Sequence, residues 1–118
     1  MEKVYLAIPY SHRSEVVRES RFELANQIAA YLIDQGFNVL SPISHSHPIA
    51  KYMDNHNESV FWTKMDIEWL ACCDKMIVVK TVGWKLSSGI KDELRFADAT
   101  GIPVYSIDPD TMVISDGV

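Results

Sequence analysis

One segment in the second half of the chain constrains the fold most strongly. The run Met76-Ile77-Val78-Val79 is short and rich in β-branched residues, which is typical of a strand buried in a parallel sheet. Ser87 and Ser88 follow after a short segment, and either serine can cap a helix. Leu94, Ala97 and Ala99 would supply the apolar side of that helix. The segment therefore predicts a strand, a loop and the start of a helix.

Similar patterns alternate along the rest of the chain. Apolar runs predict strands at Val4–Ile8, Phe37–Ser41 and Pro103–Ile107, and helical spacing predicts helices from Glu15 to Gln35 and from Val60 to before Asp74. A strand, a helix and a strand in that order indicate a right-handed parallel crossover. We expect a single α/β domain over residues 1–118, a flavodoxin-like or Rossmann-like three-layer sandwich with a parallel sheet of four or five strands.

Two segments carry weaker signals. Ser44 to Asn57 is a long polar stretch with Pro48 and Asn55 as breakers, and it is interpreted as a loop that acts as a lid or binding segment. The tail from Asp108 is expected to be weakly structured except at Met112-Val113-Ile114.

Composition narrows the class of protein. The 118 residues carry a formal charge of -5, which argues against a general nucleic-acid-binding surface but allows a free nucleotide at a helix N-terminus. No apolar run approaches the roughly 20 residues of a membrane helix and no signal-peptide pattern is present, so a cytoplasmic protein is expected. Cys72 and Cys73 are adjacent, which is not a redox or zinc-finger spacing, and both are expected to be buried. Chains of this size often complete their sites by association, so a homo-oligomer is also expected.

The predicted loops point to a ligand site at one edge of the sheet. Pro9–Arg13 and the segment before Ser88 each follow the carboxyl end of a strand, where open parallel sheets bind ligands. Glu93 lies in the first two turns of the following helix, on a side that Ser87 and Gly89 leave open for lack of bulk. This predicts a carboxylate in a small polar pocket. A solvated helix carboxylate beside an ordinary cap and turn is the alternative from spacing alone.

The segment Ser87-Ser88-Gly89-Ile90-Lys91-Asp92-Glu93 resembles the Asp/Ser-x-Gly-x-x-x-Glu element of the nucleoside 2-deoxyribosyltransferases and the related deoxynucleotide N-hydrolases. The resemblance implies that Glu93 is the nucleophile at the sugar anomeric carbon, that Asp66 helps to hold the sugar or the base, and that Tyr5 orients Glu93. Such a transfer uses a carboxylate and a proton source for the leaving group. From the residues alone, Asp66 also fits a surface helix charge, and Tyr5 fits the core.

Ser87 stands where the transferases have an Asp and the nucleotide N-hydrolases have a Ser near the phosphate. A hydroxyl is compatible with a phosphate dianion, whereas a carboxylate repels it. The resemblance therefore favours a nucleoside monophosphate as substrate. Arg13, Ser88 and the backbone N–H of Gly89 would complete the phosphate cradle.

A closer resemblance covers almost the whole chain. The chain is similar to the small bacterial and phage family known as domain of unknown function 1937, through Pro9-Tyr10-Ser11-His12, Ser41-Pro42-Ile43, Ser46-His47-Pro48, Phe61-Trp62, Gly83-Trp84 and Ser88-Gly89 with Glu93. This motif places Pro9 and Tyr10 among the candidate substrate-binding residues. It also adds His12, His47, Trp62 and Trp84, which the transferases lack and which are candidates for defining a different ligand.

Three functions remain open from the sequence. The first is an N-glycosidic enzyme. In it, Trp62 and Trp84 either stack on the base of the substrate or pack in the core. His12 or His47 would contact a phosphate or donate a proton. The second is a nucleotide-sensing module without turnover. The third is a metal-dependent hydrolase built on the histidines, although their spacing is not that of a zinc site, so no metal and no cofactor is expected.

Overall fold

The computed structural model of the chain describes residues 2–53 and 59–118, and within them strands are interspersed with helices. The elements in chain order are β1 (Lys3–Ala7), α1 (Glu15–Asp34), β2 (Asn38–Leu40), α2 (Pro42–Ala50), α3 (Ser59–Leu70), β3 (Lys75–Val79), a 3-10 turn (Trp84–Leu86), α4 (Ser88–Thr100), β4 (Val104–Ile107) and β5 (Ile114–Asp116). Asn55 and His56, which the sequence placed in a polar loop, lie outside the described residues.

The strands form one sheet in the order β2-β1-β3-β4-β5. β1 pairs in parallel with β2 and β3, β3 pairs in parallel with β4, and β5 is antiparallel to β4. Because the chain runs outward in opposite directions from β1 and β3, their carboxyl ends form the switch point at which such sheets leave a crevice. The structure confirms the expected α/β fold, with a mixed sheet in place of a wholly parallel one.

Alternation along β1 and β3 divides the core into two layers. Val4, Leu6 and Ile8 pack with Ile77 and Val79 under α1, in a cluster that includes Ala25, Ile28 and Leu32 of that helix. Tyr5 and Ala7 point to the opposite face, where they pack with Met76, Val78, Leu70 of α3, and Ile90 and Ala97 of α4. Tyr5 therefore enters the layer that also contains α3 and α4.

The polar stretch after β2 forms a helix, so the interpretation of its first part as a loop is wrong. Pro42 occupies the start of α2, where its missing N–H costs no hydrogen bond. Pro42, Ser46 and His47 are buried, which gives the helix an inward face made of residues that are not typical core formers. Pro48 lies near the carboxyl end of α2, and the helix continues only to Ala50.

Three smaller expectations also need correction. Part of the tail is ordered as β5, because Ile107 and Ile114 pair across an antiparallel register. Cys72 is exposed and Cys73 is half-buried, since both follow the end of α3 in a turn. Ala99 of α4 is exposed, and the buried face of that helix is formed by Ile90, Glu93 and Ala97. In the described parts of the chain, no helix has both the length and the apolar character required to cross a membrane.

Candidate active site

A cleft opens at the carboxyl ends of β1 and β3, between the loop after β1, helices α2 and α3, and the start of α4. The empty space in and over the cleft amounts to about 470 Å³, which includes open solvent. The predicted site residues that line it are Tyr5, Tyr10, Trp62, Asp66, Ser87, Gly89 and Glu93. The structure thus brings seven residues from three separate segments of the sequence to one cleft.

Glu93 lies on the inward face of α4. Ile90, Glu93 and Ala97 are spaced so that all three turn toward the sheet, and Glu93 is only 7% exposed. The hydroxyl of Tyr5, itself 1% exposed, donates a hydrogen bond to Oε2 of Glu93. Burial raises the pKa of Glu93 to about 8, while the Tyr5 hydrogen bond opposes the rise and the charge of Asp66 adds to it. The carboxyl group is therefore held at a cost in stability.

Asp66 reaches the same cleft from α3 and is 8% exposed. Burial raises its pKa to about 7. Its Oδ1 atom is buried and has no hydrogen-bond partner among the described residues. A buried carboxyl oxygen without a partner is costly, and a ligand hydroxyl or amide that donates to it would remove that cost.

The ionisation equilibria of Glu93, Asp66 and Tyr5 are coupled. The pKa of Tyr5 is raised well above its usual value, first by burial and then by the charges of Glu93 and Asp66, so the phenol remains a donor. The charge of Asp66 adds to the rise in the pKa of Glu93, so the two carboxyl groups titrate as a coupled pair. Ionisation of one acid therefore disfavours ionisation of the other.

The turn before α4 shapes one wall of the cleft. Gly83 has a φ of 89°, a left-handed conformation that favours glycine, and it leads into the 3-10 turn. Ser87 caps α4, as predicted, because its Oγ accepts a hydrogen bond from the N–H of Ile90 at 3.2 Å. A Cβ atom at Gly89 would lie 3.4 Å from Oγ1 of Thr63, so a side chain there would fill the space between α3 and α4.

Several predicted binding residues do not line the cleft. His12, Arg13 and Ser88 are exposed, and Nδ1 of His12 accepts a hydrogen bond from the N–H of Ser14 at 2.9 Å. Pro9 is buried beneath the loop after β1. Trp84 packs against the Tyr5 layer of the core, with the Nζ atoms of Lys80 and Lys85 at 5.6 and 5.7 Å from its ring centroid. Of the two predicted base-stacking residues, Trp62 and Trp84, it is Trp62 that lines the cleft.

His47 is buried behind the wall of the cleft. Its Nδ1 atom lies 2.5 Å from the hydroxyl oxygen of Tyr10, and its Nε2 atom lies 2.6 Å from Oε2 of Glu19 on α1. Phe22 of α1 stacks on the imidazole at 4.4 Å between ring centroids. A direct phosphate contact does not fit this geometry, because both ring nitrogens already have protein partners.

Sequence reasoning missed Glu19, Thr63 and Ser46. Glu19 fell on the polar side of a helical pattern and carried no motif. Thr63 precedes Asp66 by three residues, so the helical period of α3 places both on one face and could have identified it. Ser46 has a buried Oγ without a partner among the described residues, and it lines a side cavity together with Tyr10, Trp62 and Asp66.

Metal-binding residues do not cluster in the described ranges. No group of three His, Cys, Asp or Glu side chains there has the geometry to hold a metal ion.

The chain is similar to known proteins in sequence and in fold. A family model described as a domain of unknown function (DUF1937) matches residues 2–108 of the chain. The solved structure of a 2-deoxyribosyltransferase from the psychrotolerant bacterium Bacillus psychrosaccharolyticus is similar, with a TM-score of 0.60 and 24% identity, covering 96% of this chain and 77% of that one. At this identity the likeness shows a shared fold. No curated protein matches the sequence.

Proposed function

The chain belongs to the family of domain of unknown function 1937, and from the contents of its cleft we propose that it is an N-glycosidic enzyme. In this proposal it acts on a 2-deoxynucleoside or its monophosphate, with Glu93 as the nucleophile. The observation that carries the proposal is the hydrogen bond from the Tyr5 hydroxyl to the buried carboxyl of Glu93 at the floor of the cleft. Its likeness in fold to a 2-deoxyribosyltransferase gives supporting context.

The cost of burying Glu93 supports a chemical role. An acid whose pKa rises to about 8 destabilises the folded protein at neutral pH, and a purely structural role would be served as well by a neutral side chain. The Tyr5 hydroxyl fixes the position of Oε2 and favours its ionised form. Together they give an oriented carboxylate next to an empty, partly enclosed space.

The proposed reaction has two steps. In the first, an oxygen of Glu93 forms a bond to the sugar anomeric carbon while the bond from that carbon to the base nitrogen breaks, and the base nitrogen takes up a proton. In the second, water or another base attacks the same carbon and releases the Glu93 carboxylate. Asp66, with its unpartnered Oδ1, would accept a hydrogen bond from the sugar or the base.

A nucleoside monophosphate is the favoured substrate class within this proposal. Ser87 lines the cleft, and its hydroxyl can still donate to a phosphate oxygen although its oxygen accepts from Ile90. The start of α4 offers the N-terminal end of a helix of thirteen residues beside it. Arg13 and Ser88 would have to turn inward to complete the cradle, because both are exposed. Residence in the cytoplasm and assembly into a homo-oligomer remain predictions.

A nucleotide-binding module without turnover is the second candidate. The observations that favour it are the packing of Trp84 and the exposure of His12 and Arg13, which leave fewer ligand-directed groups than the resemblances implied. Such a module would keep the affinity of the cleft for nucleotides and would release no base.

One experiment separates these functions. The purified protein is incubated with a mixture of deoxynucleoside monophosphates and deoxynucleosides, with and without an acceptor base, and free base is followed by chromatography. We expect release that is lost in Glu93→Gln and kept in Asp98→Asn, a matched change at an exposed acid of the same helix. Calorimetric binding of a nucleotide with no release under any acceptor would support the binding module. Loss of activity with chelator would support the metal-dependent hydrolase.

A further inference from the structure

The contacts of His47 form a continuous chain from the surface to the cleft. Glu19 is half exposed, its Oε2 atom lies 2.6 Å from Nε2 of His47, and Nδ1 of His47 lies 2.5 Å from the hydroxyl oxygen of Tyr10. Tyr10 lines both the main cleft and the side cavity that contains Asp66. The three residues come from α1, α2 and the loop after β1, so three separate elements must converge to make these contacts.

The imidazole is held firmly in this position. Phe22 stacks on its face at 4.4 Å with an angle of 26° between the rings, and the Tyr10 ring meets its edge at 5.6 Å with an angle of 82°. His47 is 7% exposed. A carboxylate on one nitrogen, a hydroxyl on the other and an aromatic ring on the face fix the orientation of the ring, as in the carboxylate, histidine and hydroxyl arrangements that move protons in hydrolases.

We propose that Tyr10 is the proton-transfer group of this cleft and that His47 and Glu19 are its positioning residues, so that the chain protonates the departing base. This inference rests on the proposed N-glycosidic function and adds the proton source that the two-step reaction requires. Burial raises the pKa of the Tyr10 phenol, with the charge of Arg18 opposing the rise and that of Glu19 adding to it, so the phenol is protonated in the resting site. It can act as an acid in this arrangement because His47 replaces the proton as it leaves.

The protons balance across the two steps. The proposed cycle requires that it start with protons on both nitrogens of His47, with Nε2–H donating to the Glu19 carboxylate and Nδ1–H donating to the Tyr10 oxygen. When the bond between sugar and base breaks, the Tyr10 O–H proton passes to the base nitrogen and the Nδ1 proton passes to the Tyr10 oxygen. His47 is then neutral. In the second step, attacking water gives a proton to the Tyr10 oxygen, and the Tyr10 O–H proton returns to Nδ1, which restores the first state.

Asp66 faces the same space, and its Oδ1 atom is buried without a partner among the described residues. In the proposed function that atom accepts a hydrogen bond from the sugar or the base. The Tyr10 chain ends at an exposed carboxylate on α1, so it can exchange protons with water between turnovers.

The test compares leaving groups that do and do not need a proton. Substrates are a deoxynucleoside monophosphate, which releases a nucleobase, and p-nitrophenyl 2-deoxyriboside, whose leaving anion is stable without protonation. We expect Tyr10→Phe to lower kcat/KM for the nucleotide by about 10²- to 10³-fold and to change it by less than about threefold for the p-nitrophenyl substrate. Glu19→Gln, a mild change at an exposed residue, is expected to show the same selectivity with about a tenfold loss. Glu23→Gln, an exposed acid one turn further along α1, is the matched control and should affect neither substrate.

Each outcome decides the proposal. Equal losses on both substrates in Tyr10→Phe and Glu19→Gln indicate a structural role and overturn the relay, as does an unchanged rate on the nucleotide. If Tyr10→Phe fails to fold, the Glu19→Gln comparison decides alone. Turnover by the wild type with no effect of these variants refutes the relay and leaves the proposed function intact. Absence of turnover of both substrates by the wild type refutes the proposed function itself, and the relay with it.

Discussion

Replacing Glu93 by glutamine is expected to remove the part of the pH dependence of stability that comes from this carboxyl. The pKa of this carboxyl is about 8 in the folded state and near 4.5 in an exposed chain. Since the folded pKa is the higher one, the folded protein keeps a proton that the unfolded chain gives up above pH 4.5. Stability must therefore fall as pH rises from about 4.5 to about 8, and the loss is complete above that range.

The size of the effect follows from the two pKa values. One pKa unit corresponds to about 1.4 kcal/mol, so the full penalty above pH 8 is about 5 kcal/mol and the part that develops between pH 5 and pH 8 is about 3 kcal/mol. Glutamine cannot ionise, and its amide oxygen can still accept the hydrogen bond from Tyr5. Burial of the amide has its own cost of about 1–3 kcal/mol, but that cost does not depend on pH.

Urea unfolding at several pH values measures this directly. The free energy of unfolding of Glu93→Gln minus that of the wild type should grow by about 3 kcal/mol between pH 5 and pH 8, with an unchanged m-value. Asp98→Asn, which removes an exposed acid of the same helix, should run parallel to the wild type. Parallel curves for Glu93→Gln and the wild type over this range would refute the claim that Glu93 is buried with a raised pKa.

Three further predictions test the site and its surroundings. The kcat/KM of the wild type for p-nitrophenyl 2-deoxyriboside should rise with pH to a plateau above about pH 8, because Glu93 must be ionised to attack; a rate independent of pH between 6 and 9 would contradict this. Tyr5→Phe should move the midpoint of this rise in kcat/KM to higher pH, since the hydrogen bond from Tyr5 lowers the pKa of Glu93, and should lower kcat/KM by about 10²-fold. An unmoved midpoint would show that the contact does not lower the pKa of Glu93. Gly83→Ala and Gly36→Ala should each lower the free energy of unfolding by about 1–2 kcal/mol, because both positions have positive φ. Thermal or urea unfolding measures this, and unchanged stability in both variants would contradict it.

The fold was predictable because its signals are local. β1 and β3 are short apolar runs, α1 has a helical period, and Ser87 caps α4 as its type suggests. The placement of Glu93 could also be anticipated, since it falls three residues after Ile90 and four before Ala97 on one helical face. An acidic residue within the apolar face of a predicted helix can be recognised from the sequence alone.

The remaining parts depend on contacts between distant segments. Helix α2 was missed because Ser46 and His47 are polar residues that are buried by packing against other elements, and polarity alone predicted a loop. The contact of His47 with Glu19 joins residues 28 positions apart, and no spacing rule links them. Trp84 packs in the core layer of Tyr5, although its place after a strand suggested a ligand-facing indole. In each case tertiary packing decides what the local pattern leaves open.

The central claim is that Glu93 forms a covalent bond to the sugar, and trapping that bond tests it most directly. A nucleoside monophosphate with fluorine at the 2-position in the arabino configuration slows formation and hydrolysis of a glycosyl ester, because fluorine destabilises the positively charged transition state. After incubation, peptide mass spectrometry should find the fluorinated sugar on Glu93, and Glu93→Gln should acquire no such group. Base release by the wild type with no adduct on Glu93, or with the sugar attached to another residue, would contradict the account.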